Sequence, residues 1–349
     1  MTFVLALVVA ASVPDPVRQQ VKWLESTLTD HVATSNQLTF PEGELFTWEF
    51  WGLALLNIAE ETREKDDVDR AAREVRRLLP KLDPMLKHPP FKPMAGWALR
   101  GGVVWFGGQN LLRARLLGLV PGTEEEVQRL HRDSATLAAA FEASKTGVLE
   151  AHPGKTWPVD SLFALESLKL HDAQFGTRYF EKAWAKFART MDATTGRSGL
   201  PASFVHLDGR VRDVPRGCAL SWSAAVLPRL DAERAAKLWA AYRGSFFSCT
   251  LAPCLVREYP PGVEREGDID SGPIVGGYGL AATGFALGAA RANGDTATAL
   301  KLEATGELFG AAVVDGKGKR YLGGSVPFFD VLSLYVRTVP EATTLPRRK

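Results

Sequence analysis

The sequence predicts an all-α protein: a closed double ring of helical hairpins, with a short extended hairpin near residues 246–265. Three observations predict it. Charged, amphipathic helical segments alternate with segments that are apolar nearly all round. The apolar helices begin near Phe46, Gly96, Pro158, Arg216, Pro273 and Val326, roughly 50–60 residues apart, which is a repeat of structure rather than of sequence. The third observation is 32 Gly and 9 Trp in 349 residues. Glycine weakens helix interiors, so glycine-rich helices imply close packing in a crowded centre. One buried helix per hairpin forms the inner ring and the charged helices form the outer ring.

Each element follows from its pattern. Val17, Val21, Leu24 and Leu28 lie at helical spacing within 14–33. Residues 45–63 place Phe46, Trp48, Phe50, Trp51, Leu53, Leu55, Leu56 and Ile58 around the whole helix, so it is buried. Residues 66–83 are charged, and 95–116 are rich in Gly, Trp and Leu. Thr123 and Glu126 form a capping box opening 123–144. An apolar helix over 158–172 follows Trp157-Pro158, and a charged one covers 176–193. Residues 216–229 are apolar, and Asp231 caps a charged helix that stops near Gly244. Phe246, Phe247, Leu255, Val256 and Tyr259 mark the extended stretch. Residues 272–293 read as one Gly-rich helix, with Gly276, Gly284 and Gly288 on one face with Leu280. Asp295 caps a helix to about 312, and the last helix runs over 325–338.

The composition excludes several classes. Forty-two Lys+Arg against 40 Asp+Glu give a net charge of +2, without the basic surplus of a nucleic-acid binder. Residues 1–12 are a short apolar run ending in small residues, read as a signal peptide for periplasmic or extracellular export. Without cleavage there, the location would be cytoplasmic. The run is too short for a membrane span, and no stable span is expected elsewhere. The fold then occupies 14–340, with 341–349 as a tail. Cys249 and Cys254 bracket a turn and either bridge across it or stay as buried thiols, and Cys218 stays single. The six His include no HExxH motif or close pair, so neither metal nor cofactor is expected.

In such a ring the inner helices run parallel, and their N-terminal ends share one face. Converging helix dipoles there favour anions or developing negative charge. Asp268-Ile269-Asp270 is the sharpest feature at that face. In an extended segment both carboxylates point the same way, and two close carboxylates cannot both ionise freely. This is the pair that glycoside cleavage or elimination needs. The competing reading is helix capping before Pro273, with Asp270 the better cap and Asp268 the functional acid. Asp160, after Trp157-Pro158, is the partner carboxylate or a cap. Arg216 clamps a carboxylate or joins an interhelical ion pair. Trp48, Glu49, Trp157, Trp222, Arg257, Tyr259 and Tyr278 are candidate substrate contacts, with core packing as the alternative for the aromatics. Arg257 opens the segment 257–262, a lid or a structural hairpin.

These features resemble the α/α-barrel, six-hairpin enzyme superfamily, which includes glycosidases and polysaccharide lyases with acidic residues at the inner-helix mouths. A narrower likeness is to the linalool dehydratase/isomerase domain. It rests on His152-Pro153-Gly154-Lys155-Thr156-Trp157-Pro158-Val159-Asp160-Ser161 and Leu170-His171-Asp172-Ala173-Gln174-Phe175-Gly176-Thr177. Asp160 stands near a place where that family implies an active-site cysteine. Three functions follow as expectations. The first is carboxylate acid/base catalysis on a small or oligomeric carbohydrate or uronate, by hydrolysis or elimination. The second is a lyase or isomerase acting on an apolar alcohol, favoured by a narrow aromatic cavity. The third is a non-catalytic toroid that binds a ligand, favoured if the carboxylates are all caps.

Overall fold

The computed structural model describes residues 15–38, 40–249 and 253–342. The segment read as a signal peptide and most of the tail lie outside them. Twelve of the thirteen α-helices among these residues build two concentric rings. The inner helices are α3 (Gly43–Thr62), α5 (Gly102–Leu119), α7 (Ser161–Phe175), α9 (Gly217–Leu230), α11 (Leu280–Ala292) and α13 (Pro327–Thr338). Each packs on the next, and α13 returns to α3, so the ring closes. The outer helices are α1 (Pro16–Thr27), α4 (Lys65–Leu82), α6 (Glu124–Ala143), α8 (Tyr179–Thr194), α10 (Ala232–Phe246) and α12 (Thr296–Phe309). This is the (α/α)6 barrel that the alternation of helix types predicts.

Burial explains the two classes. In α3 every residue from Leu45 to Ala59 except Phe46 is buried, whereas α4 buries one stripe through Ala71, Val75, Leu78 and Leu82. The predicted caps form. Thr123 and Glu126 close a capping box on α6, and Asp231 and Asp295 accept from Arg234 N and Thr298 N. Residues 14–33 divide into α1 and a short α2 (Asp30–Asn36), capped by Thr29.

Four two-stranded hairpins decorate the rings: β1 (Phe204–Val205) with β2 (Val211–Asp213), β3 (Phe247–Ser248) with β4 (Leu255–Val256), β5 (Ile274–Val275) with β6 (Tyr278–Gly279), and β7 (Val313–Asp315) with β8 (Gly318–Arg320). The β3–β4 pair is the expected extended hairpin, and Cys249 and Cys254 are joined across its turn. The β5–β6 pair corrects the helix read over 272–293. Gly276 and Gly277 have φ of 59° and 85°, a turn conformation that a continuing right-handed helix excludes. Helix α11 therefore begins at Leu280. The expected glycine face dissolves accordingly. Leu280 is exposed, nothing lies within 4 Å of a Cβ built on Gly284, and Gly288 alone makes a close approach, to Val336 and Val339.

The barrel axis is filled in layers. Trp222 of α9 lies 5.3–5.8 Å, centroid to centroid, from Phe46, Phe50, Phe163 and Phe285, and Phe50 lies 4.7 Å from Tyr335. Further along the inner helices is a charged layer. Arg115 binds both oxygens of Glu60 (2.6 and 3.0 Å) and Asn57 (2.8 Å), and Arg229 binds Glu166 (3.0 Å). Each buried cation meets a carboxylate, as charges removed from water require.

Candidate active site

The site stands where the inner helices begin, and α9 organises it. The segment 257–258 crosses directly over the start of α9. Gly217 N donates to the Glu258 carbonyl at 2.7 Å, and a Cβ on Gly217 would lie 2.0 Å from the Arg257 carbonyl oxygen. Only glycine lets the two backbones meet there. This approach sets the fully buried Glu258 carboxylate on the helix N-terminus. It accepts Arg216 Nε at 2.8 Å, Cys218 N at 3.1 Å and Cys218 Sγ at 3.1 Å. Burial still pushes the Glu258 carboxyl up, against the pull of Cys218 and Arg216. Residues 257–258 are thus an anchored support for the start of α9.

Arg216 carries the arrangement outward. Its Nη1 and Nη2 bind the two oxygens of Asp268, each at 2.7 Å, and its guanidinium lies over the Tyr259 ring. Asp268 Oδ1 also accepts from Asp270 N (3.1 Å) and Ser271 N (3.0 Å). Burial would raise the Asp268 carboxyl, but Arg216 and Ser271 hold it below the usual carboxylate range. The cap read for Asp270 is not formed, and Asp268 is engaged by Arg216. Asp268 is the clamp that shapes the loop. Asp270 has no helix to cap, because α11 starts at Leu280.

Asp270 lies in the same loop, ahead of β5. It keeps an open face to solvent, but the surrounding protein excludes enough water to raise its carboxyl. Burial comes first, followed by the charges of Asp268 and Glu42, which together bring it to about 6. Asp160 enters from the short 3-10 turn Pro158–Asp160 ahead of α7 and makes no capping hydrogen bond. Its carboxyl is raised well above the ordinary value by burial, then by the negative charges of Asp270 and Glu42. Glu42, at the start of α3, pairs with His152 Nε2. Asp160, Asp270 and Glu42 thus share one electrostatic neighbourhood, built from the starts of α3 and α7 and the loop ahead of β5.

The other candidates divide by position. Trp157 packs on Phe204 at the rim. Arg257 stacks on Tyr278 at 5.3 Å, and Tyr259 lies between Arg216 and Arg265. Trp222 lies on the barrel axis beneath the mouth. Two candidates fall outside. Trp48 faces the outer ring, between Arg77 and Lys81 of α4, because its position on α3 points away from the axis. Glu49 is buried against Gly108 of α5, its carboxyl raised by burial alone. Sequence reasoning assigned no role to Glu258 or Cys218 at the site. No spacing signals their meeting with each other and Arg216, since 42 residues separate Arg216 from Glu258. Among the described residues, no group of three or more His, Cys, Asp or Glu is arranged to hold a metal ion, and no helix is long and apolar enough to cross a membrane.

Comparison with known proteins gives the fold. An unsaturated glucuronyl hydrolase specific for heparin superposes with a TM-score of 0.59 at 13% identity, over 92% of this chain and 95% of its own. A D-mannose isomerase gives 0.56 at 11%, over 93% and 96%. The GH76 α-mannanase of Bacteroides thetaiotaomicron gives 0.55 at 10%, over 94% and 98%. No family model matches the chain, and no curated protein does. The chain has the (α/α)6 barrel fold of these proteins along nearly its whole length.

Proposed function

We propose that this chain is an α/α-barrel enzyme that cleaves a carbohydrate or uronate by carboxylate acid/base catalysis. The observation that carries the reading is that Asp160 lies near enough to Asp270 and Glu42 for their charges to add to burial in raising its carboxyl. In this reading Asp160, whose carboxyl is raised well above the ordinary value, delivers its proton to the leaving oxygen. Asp270, ionised above about 6, takes a proton from water or from the substrate. Arg216, Asp268 and Glu258 act through Asp270 as positioning residues, and Trp157, Tyr259 and Tyr278 offer ring faces to a sugar. The names of the similar structures, two of which are a glucuronyl hydrolase and a mannanase, support a sugar substrate. Residues 1–12 support export, which N-terminal sequencing of the secreted protein tests.

The experiment is a panel of nitrophenyl glycosides, glucuronides and unsaturated uronyl oligosaccharides, assayed with the wild type and Asp160→Asn. Turnover of at least one substrate, lost in the variant, is the expected result. No turnover anywhere, or turnover that survives Asp160→Asn, sinks the reading. A second reading, a lyase acting on an apolar alcohol, is favoured by the aromatic axis around Trp222 and by the exposed rim residues Ile269, Val275 and Leu280. It uses the same acid to protonate a hydroxyl, and turnover of a tertiary allylic alcohol instead of glycosides selects it.

A further inference from the structure

Aromatic side chains line the axis just inside the end of the barrel that carries the carboxylates. Phe46, Phe163, Trp222 and Phe285 come from four different inner helices and stand two to five residues inside them. A helical rise of about 1.5 Å per residue sets them roughly 3–8 Å below the mouth. Phe46 and Phe285 both meet Trp222 across the axis, and all three rings are only half-buried, so their open surface faces the space at the mouth end. The wall continues from Phe46 through Phe40 to Phe328 of α13, with ring centroids 5.7 and 6.1 Å apart. A slot opens beside this wall. Gly288 of α11 approaches Val336 and Val339 of α13, but one turn nearer the mouth Gly284 is exposed, and a Cβ built on it meets nothing within 4 Å. Leu280, one turn nearer again, is 52% exposed. The two helices part toward the mouth.

We propose that this aromatic well holds the leaving group of the substrate, which makes the substrate a glycoside or uronide of an aryl or branched alkyl alcohol. The proposal rests on the acid/base cleavage proposed above and names the half of the substrate which that reading leaves open. A sugar does not suit the well. Its hydroxyls need hydrogen-bond partners once water is removed, and the single polar atom among these rings, Trp222 Nε1, is buried away from the open space. The carboxylates stand ahead of the elements, Asp160 before α7 and Asp270 before β5. The sugar therefore belongs at that level, and the group across the scissile oxygen reaches down. An apolar group there gains from burial and from the ring faces. Asp160 gives its proton to the linking oxygen, and the bond from that oxygen to the anomeric carbon breaks. A water that loses a proton to Asp270 supplies the new oxygen on that carbon, and the alcohol leaves whole.

Titration calorimetry of the full chain with 2-phenylethanol reads the well without catalysis. Binding with a Kd of about 1 mM or tighter is expected, and Gly284→Leu weakens it about tenfold by filling the slot. The thermal midpoint of that variant does not fall, because leucine replaces glycine in a helix at a position that faces open space. For a sugar that the wild type cleaves, kcat/KM for the 2-phenylethyl glycoside exceeds that for the methyl glycoside by about thirtyfold. The two alcohols leave with similar ease, so this ratio reports the well, and Gly284→Leu reduces it about tenfold. Absence of 2-phenylethanol binding overturns the proposal, and so do binding and a ratio that Gly284→Leu leaves unchanged. Binding that the variant loses, in a wild type that cleaves no glycoside, keeps the apolar well and sinks the cleavage reading instead.

Discussion

Arg216 and Asp268 meet through two parallel bonds, Nη1 to Oδ2 and Nη2 to Oδ1, each 2.7 Å, across 52 residues of sequence. The pair is asymmetric. Arg216 is buried, whereas the Asp268 side chain keeps 46% of its surface. Behind Arg216 stands Glu258, fully buried. Arg216→Met therefore strands the Glu258 carboxylate, and the expected loss is roughly 3–5 kcal/mol in urea unfolding. Asp268→Asn keeps one acceptor for the guanidinium at a partly solvated position, so its cost is about 1 kcal/mol. It lowers turnover by loosening the loop under Asp270 without abolishing it. Equal destabilisation by the two substitutions would show that Glu258 does not depend on Arg216.

Asp160→Asn has the opposite signature. The Asp160 and Asp270 carboxyls are both raised in the folded protein. A carboxyl that binds its proton more tightly when folded costs nothing below its unfolded range and destabilises as pH rises through that range. For Asp270 the cost is complete above about 6. Replacing Asp160 by Asn removes one repelling acid, so the thermal midpoint should rise at pH 7.5 and stay unchanged near pH 4, while turnover is lost. A midpoint that falls at pH 7.5 would mean that Asp160 is a structural acceptor.

The pH profile of turnover should be bell-shaped. Its acid limb belongs to Asp270, near 6, and its alkaline limb to Asp160, whose carboxyl burial raises well above the ordinary value. The charge of Glu42 raises both carboxyls. Glu42→Gln therefore moves both limbs to lower pH. Movement of one limb alone would separate the two carboxylates and refute their common mouth.

Cys218 donates its thiol to Glu258 Oε1 at 3.1 Å. Burial first, and then the Glu258 charge, push the thiol well above its ordinary value. The thiolate is the reactive form, so iodoacetamide should modify native Cys218 slowly at pH 8. Cys249 and Cys254 are joined, so the readout belongs to Cys218 alone. Glu258→Gln removes the charge and should speed alkylation about tenfold for each unit by which the thiol pKa falls. An unchanged rate in that variant would place the carboxylate's influence elsewhere.

What the sequence made legible depends on the range of the interaction. Helix class is local. The full burial of α3 and the single stripe of α4 follow from periodicity, and the caps at Thr123, Asp231 and Asp295 follow from two or three neighbouring residues. The β5–β6 hairpin was hidden because Ile274, Val275 and Tyr278 also fit helical spacing, and only the backbone sign at Gly276 and Gly277 decides between the two. That Asp160 and the 268–270 loop lie at the same end of the ring followed once the inner helices were taken as parallel. The clamping of Asp268 by Arg216 and the missing cap at Asp270 did not follow, because they depend on a guanidinium 52 residues away and on where α11 starts. Glu258 carries no local pattern at all, since its partners arrive through the crossing of 257–258 over Gly217.

A last prediction concerns the far end of α7. His171 Nδ1 lies 2.8 Å from Thr177 Oγ1, and the Thr177 hydroxyl donates to Asp172. Having spent its proton there, Thr177 can only accept from His171, so His171 Nε2 is the bare nitrogen. It accepts from His131 Nδ1 at 2.9 Å. Protonating His171 would set two N–H groups against each other. Burial, then His131, lower its pKa from 6.5, against the pull of Asp172. A histidine whose folded pKa is depressed takes up its proton in the unfolded chain first, so stability falls as pH drops below about 6.5. His171→Asn should cost about 1–3 kcal/mol at pH 7.5 and should remove this site's part of the decline between pH 7.5 and 5.5. Urea midpoints of both proteins at the two pH values check it. An equally steep decline in the variant would show that the acid sensitivity lies in other groups.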